Sequence, residues 1–449
     1  MNMIPRRPSQ FLRSGVIALA ALTWALPAAQ ATDVERVRSP GGIEAWLVRE
    51  ASVPLITMEF AFLGGASQDA ADKAGTANMV AQLLDEGAGD LDAKAFAQRL
   101  EERAIEMNFN IGRDYFRGTL RTLTENREQA FDLLRLALNA PRFDPDPVER
   151  VRTQVLSGLR RETTNPNSLS NRRWWETAFP GHPYGRQVSG TLETVPNITG
   201  DDLKAYPRRV FAREHLKVAV VGNVDAATVG VLLDRVFGAL PAKAELTPVA
   251  PASMRGLGRR ELIPLDVPQA VVTFGGPGIA RSDPDFIPAY VVNHILGGGS
   301  FSSRLYREIR EQRGLAYSVY SSLVWLRGAA MFMGGTATRA DRTGETLDIM
   351  EKEIHRLANE GPTEDELAKA KAYLKGSYAL NLDTSTKIAS QLVQIQIDEL
   401  GIDYISRRNS LIDAVTLADT RRVAKRLLGD GLLTTVVGRP PGVTAKEAN

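Results

Sequence analysis

The chain is predicted to be an α+β protein, a tandem duplication of one mixed α/β sandwich domain whose halves face each other like a clamshell. Three observations predict this. First, landmarks recur at nearly one spacing. Val53-Pro54 and Val267-Pro268 open strand-like runs 214 residues apart, Pro145 and Pro362 open long helices 217 apart, and Val220-Val221-Gly222 and Val436-Val437-Gly438 close strands 216 apart. Second, each half mixes period-2 apolar alternation with amphipathic stretches, such as 94–107, 127–139 and 364–379. Third, residues 241–258 are rich in Pro, Ala and Gly and lack long periodicity, as a linker does. The repeat is far too long for a solenoid, so whole domains are repeated, over 32–240 and 259–449. A chamber between them is the natural place for a ligand.

In front of the first domain, residues 1–31 carry Arg6, Arg7 and Arg13, an apolar run from Val16 to Leu26, and a small-residue exit at Ala29-Gln30-Ala31. These are the three parts of a secretory signal peptide. The apolar run is short of the ~20 residues that span a bilayer. The expected product is therefore an exported, periplasmic chain with no membrane anchor. Cleavage removes three of the 55 basic residues and leaves 52 against 53 acidic ones, which excludes attraction to nucleic acid by bulk charge. The absence of cysteine excludes disulfides, thiolate metal sites and a cysteine nucleophile. No phosphate-binding glycine fingerprint accompanies Gly297-Gly298-Gly299.

Two segments carry the functional reading. In the first half, Gly75-Thr76-Ala77-Asn78-Met79-Val80-Ala81-Gln82 is expected on a helix after the opening strands. In the second half, residues 297–319 read GGGSFSSRLYREIREQRGLAYSV. The glycines are expected to give a flexible lead-in with open amides, Ser302 or Ser303 to cap a helix carrying Leu305 and Ile309 on one face, and Gly314 to end it in a left-handed cap. Residues 315–320 then alternate as a strand. Arg310 and Tyr317 can converge beyond the sheet edge, where a guanidinium and a phenol offer directed donors and no metal affinity. That suits a peptide carbonyl or the oxyanion formed when water attacks it.

The second phrase resembles, almost position by position, the arginine/tyrosine motif of pitrilysin-type (inverzincin, insulinase-like) metallopeptidases, including the processing-peptidase-like bacterial branch. His182 also lies in GHPYGRQVSGT, a phrase that family shares. In the family the first domain carries G-x-A-H-x-x-E-H, two histidine ligands and a glutamate base, with a glutamate ligand some 75 residues on. Here Asn78 and Gln82 stand at the histidine positions, Ala81 at the base and Gly158 at the third ligand, with Glu162 one turn away.

The resemblance therefore implies a chain with no metal and no cofactor of its own, unable to hydrolyse peptides unaided, in which Arg310 and Tyr317 position a peptide or unfolded polypeptide. It implies a heterodimer whose homologous partner carries H-x-x-E-H and the zinc. The rival reading is a catalytically inactive peptidase-like scaffold or peptide-binding protein, as in the respiratory-complex core subunits that share the fold.

Overall fold

A computed structural model describes residues 33–447, so the expected signal peptide, 1–31, lies outside the described residues. In the first half the elements are β1 (Glu35–Arg38), β2 (Glu44–Arg49), β3 (Leu55–Leu63), α1 (Thr76–Ala81), α2 (Ala93–Glu102), β4 (Glu106–Ile111), β5 (Tyr115–Leu123), α3 (Arg127–Asn139), α4 (Pro145–Glu162), α5 (Pro166–Ala178), α6 (Gly200–Val210), β6 (Lys217–Gly222) and α7 (Ala226–Phe237). In the second they are β7 (Arg260–Ile263), β8 (Gln269–Pro277), α8 (Phe286–Asn293), β9 (Ala316–Trp325), β10 (Ala330–Arg339), α9 (Thr343–Glu360), α10 (Glu364–Gly376), α11 (Ser385–Ile397), α12 (Tyr404–Asp413), α13 (Leu417–Leu428) and β11 (Leu433–Val437). Among the described residues no helix is long and apolar enough to cross a membrane.

The duplication is visible in the sheets. The first has the order β1-β2-β6-β3-β5-β4 and the second β7-β11-β8-β10-β9. In each, one pair is parallel, β2 with β6 and β7 with β11, and the remaining neighbours are antiparallel. The copies match in atomic detail. Thr199 and Asp202 form a capping box at the start of α6, and Thr416 and Asp419 repeat it at α13. Gly222 and Gly438, which leave β6 and β11, hold φ of 148° and 146°, a region that glycine alone adopts readily. On each sheet a phenylalanine lies over the glycine opposite it, Phe60 over Gly118 and Phe274 over Gly334.

Two expected helices end early. The stretch 94–107 stops being helical at Glu102, because Ala104 turns to φ 48° and Met107 joins β4 opposite Leu120. Likewise α10 stops at Gly376, and Ala379 lies in a separate 3-10 turn.

The halves are also less self-contained than a tandem of whole domains implies, because each lends a helix to the other's sheet. From the first half, α5 lies on the second sheet: fully buried Trp174 donates to the Leu433 carbonyl (3.1 Å) and Ser170 Oγ to Thr273 Oγ1 (2.8 Å). From the second half, α11 lies on the first sheet, where Leu392 and Val393 pack with Trp46, Val48 and Val221 while Gln396 donates to the Val218 carbonyl (2.9 Å). Truncating a core tryptophan of this kind costs about 3–5 kcal/mol. Equivalent hairpin turns meet between the sheets, where buried Asp114 accepts from the Arg327 amide and from Tyr184 Oη, both at 2.8 Å.

Candidate functional site

The first-half segment folds as α1 because Asp69 holds its N-terminus. Gly75, at φ 101°, turns the chain, and its amide (2.9 Å) and that of Ala77 (3.0 Å) both donate to the Asp69 carboxylate. Burial drives that carboxyl up to about 7, outweighing the pull of those two amides and of Arg186 and Arg209. α1 packs against α4 and α6 through Ala77, Met79, Val80 and Ala81, all buried, while Asn78 is half-buried and Gln82 exposed. Gly158 lies half-buried on α4, with Glu162 in that helix's last turn. Asn78 and Gln82 offer neutral amides, and Ala81 and Gly158 offer nothing, so the donor set does not fit zinc. Among the described residues no group of three or more His, Asp or Glu side chains is placed to hold a metal ion. His182, in the shared phrase, is structural: its Nδ1 accepts from the Tyr184 amide (3.1 Å), leaving Nε2 to donate to the Ala250 carbonyl (2.9 Å).

In the second half the structure brings Arg310 and Tyr317 together, by a route the sequence did not foretell. The glycine run is packed rather than open. Residues 294–298 form a π-turn, and a Cβ on Gly297 would stand 2.6 Å from Ser321 Oγ and 2.8 Å from its backbone nitrogen. Ser302 and Ser303 cap nothing ahead of them, since their hydroxyls donate backward to the Gly299 (2.9 Å) and Ser300 (2.8 Å) carbonyls. The helix that follows is π-helical over Tyr306–Glu311. It is pinned by buried Arg304, whose two bonds to Glu366 (2.7 Å each) reach the start of α10. Burial favours a protonated Glu366, but those bonds hold it down at about 2. Gly314 does end the helix as expected, at φ 60°, its amide bonded to the Arg310 carbonyl (3.0 Å).

The strand after it does not alternate cleanly. A β-bulge sets Tyr317 and Ser318 together opposite Ala337, since Val319 pairs with Thr336 and Ala316 with Thr338. The bulge turns Tyr317 outward, and it is 82% exposed. The Arg310 guanidinium lies 4.6 Å from the centre of that ring, 4.8 Å from the ring of buried Tyr306 and 5.9 Å from that of Phe301, which is 71% exposed. Arg310 also donates to Tyr306 Oη. Its neighbours Arg307 and Arg313 pair with Glu308, so in this charged run Arg310 is set apart by having aromatic partners. Phe301 and Tyr306 are site residues that sequence reasoning missed; both stand in the quoted phrase, but only the π-turn brings them onto Arg310.

Beside the bulge, a cavity of about 500 Å³ separates α5 and residues 185–189 from the second sheet, lined by Glu162, Arg172, Arg186, Ser318, Tyr320 and Thr336 among others. None of Asn78, Ala81, Gln82, Gly158, Arg310 or Tyr317 lines it.

A duplicated sheet-and-helix unit, with a donor-poor helix in one copy and an arginine/tyrosine pair in the other, defines a peptidase-like protein of the pitrilysin class. Comparison narrows this. Residues 50–192 match the insulinase family (peptidase family M16), and residues 197–374 match the peptidase M16 inactive domain. An uncharacterized zinc protease of Streptomyces coelicolor is 30% identical over 90% of this chain and 89% of its own. The non-peptidase homolog YmxG of Helicobacter pylori is 31% identical over 74% and 77%. The crystal structure of a peptidase M16 inactive domain from Pseudomonas fluorescens superposes with a TM-score of 0.85 at 27% identity, covering 93% of this chain and all of that one. The chain belongs to the insulinase-like M16 family.

Proposed function

We propose that the chain is the zinc-less, substrate-positioning subunit of an exported heterodimeric zinc metallopeptidase. Its partner is a homologous chain with H-x-x-E-H, and the two close face to face around a peptide or unfolded polypeptide. The observation that carries this is the pairing of Arg310 with Tyr317 at an exposed position in a chain whose own metal positions hold no ligands. A protein that only scaffolds has no use for an exposed phenol stacked on a half-buried guanidinium that is itself held among aromatic rings. The exported location rests on the pattern of residues 1–31.

The second reading, a catalytically inactive scaffold, draws on the relative named a non-peptidase homolog and the neighbour named an inactive domain. Mixing decides between them. The purified chain should leave a fluorogenic peptide intact, co-purify with its zinc-bearing homologue, and raise that homologue's chelator-sensitive cleavage. Full activity of the homologue alone, unchanged on adding this chain, selects the scaffold.

A further inference from the structure

Where the two hairpin turns meet, a second cleft of about 590 Å³ opens against the end of α11, a volume within the roughly 300–1,000 Å³ of ligand pockets. Its floor is the inner face of the first sheet. Arg117 on β5 and Lys217 on β6 are both register partners of Ala61 on β3, so two cations flank one buried methyl group about 10 Å apart. Arg117 is already committed to Gln394 and, at 3.8 Å, to buried Glu59. Arg281 is committed to Asp398 at 3.7 Å. Among the described residues, however, the Lys217 ammonium and the Arg327 guanidinium on the opposing turn meet no acceptor, although both line the cleft. Of the acids there, Asp114 and Asp398 are bonded, and Glu399 is exposed to solvent. Trp325, Leu326 and Ile397 add an apolar wall.

We infer that this cleft is a carboxylate-binding subsite for a peptide, in which Lys217 and Arg327 pair with the carboxylate and the Trp325–Leu326–Ile397 wall takes the apolar side chain beside it. The inference rests on the reading of the chain as a peptide-handling protein. The carboxylate is either the peptide's C-terminus or an acidic side chain, and one titration distinguishes them. Three rhodamine-labelled hexapeptides are compared by anisotropy on chain 32–449: one ending in leucine with a free carboxylate, its C-terminal amide, and that amide with glutamate at the penultimate position.

The free acid or the glutamate-bearing amide should bind at least ~10-fold more tightly than the plain amide, and Lys217→Gln and Arg327→Gln should each cost that peptide on the order of 10-fold, as loss of a charge-assisted bond does. Lys217→Arg should retain binding, and all variants should melt with wild type. Tighter binding of the glutamate-bearing amide than of the free acid assigns the carboxylate to the side chain, and the reverse order assigns it to the C-terminus. Equal affinity for all three peptides, or unchanged binding by both Gln variants, would overturn the subsite and leave peptide handling intact. Absence of binding by all three peptides also overturns the subsite, while the reconstitution assay judges the subunit reading independently.

Discussion

Replacing Tyr317 with phenylalanine separates chemistry from structure better than any other change in this chain. The ring is 82% exposed and its hydroxyl has no protein partner among the described residues, so Tyr317→Phe loses no internal bond and keeps the stack on Arg310 at 4.6 Å. Its effect on folding should stay within about 0.5 kcal/mol. If the hydroxyl donates to the carbonyl under attack, its loss should cost about 100- to 1,000-fold in kcat of the reconstituted complex, or about 2.7–4 kcal/mol of transition-state stabilisation. Arg310→Ala should cost at least as much. The double variant should lose less than the product of the two, because both groups act on one oxygen. Tyr306→Phe is the internal control: it removes the buried acceptor that holds Arg310, so it should cost about 1 kcal/mol of stability and a smaller share of activity. The assay is steady-state kinetics with assembly checked by size-exclusion chromatography. Full turnover in Tyr317→Phe and Arg310→Ala, with assembly intact, would refute the positioning role.

Other outcomes are equally checkable. Elemental analysis of the dialysed chain should find well under one zinc per molecule, and a tightly held equivalent lost on mutating Glu162 would overturn the reading of Asn78, Ala81, Gln82 and Gly158. Because burial raises Asp69 from 3.8 to about 7 in the fold, the folded state binds the extra proton and stability from this group falls as pH rises across that window. Urea midpoints at pH 5 and 7.5 should show this decline, and Asp69→Asn should flatten it; an unchanged slope would mean that Asp69 is ionised throughout. Gly118→Ala places a Cβ 2.1 Å from Phe60 Cζ and Gly334→Ala places one 2.3 Å from Phe274 Cζ, so each should destabilise by about 1–3 kcal/mol in denaturant melts. Neutral melts for both would show that the rings move aside freely.

Much of the architecture was legible because the duplication left paired punctuation: proline at strand and helix starts, and glycine at the ends of β6 and β11 where the backbone needs a positive φ. Those constraints are local and survive in sequence. What stayed hidden depends on contacts between distant segments. The bulge at Tyr317–Ser318 exists only against β10, so a reading of residues 315–320 alone sees plain alternation. The π-turns need Gly297 pressed on Ser321 and Arg304 tied to Glu366, neither adjacent in sequence. The assignment of Asn78, Ala81, Gln82 and Gly158 to ligand and base positions came only through the family phrase, since nothing in the composition of α1 suggests a metal.

The exchange of α5 and α11 bears on the ancestry and mechanics of the protein. Two copies that each cover the other's sheet have the geometry of a domain-swapped homodimer, an arrangement that identical protomers reach at low cost. Joining them through residues 241–258 turns a concentration-dependent encounter into an intramolecular one, with an effective concentration in the millimolar range. The same exchange locks the product. Prising the halves apart would strip Trp174 from β11 and Leu392 from the first sheet, so a hinge within the chain is closed to it. On the proposed function, a gate for a polypeptide would then lie at the seam between this chain and its partner, and its opening rate would belong to that assembly.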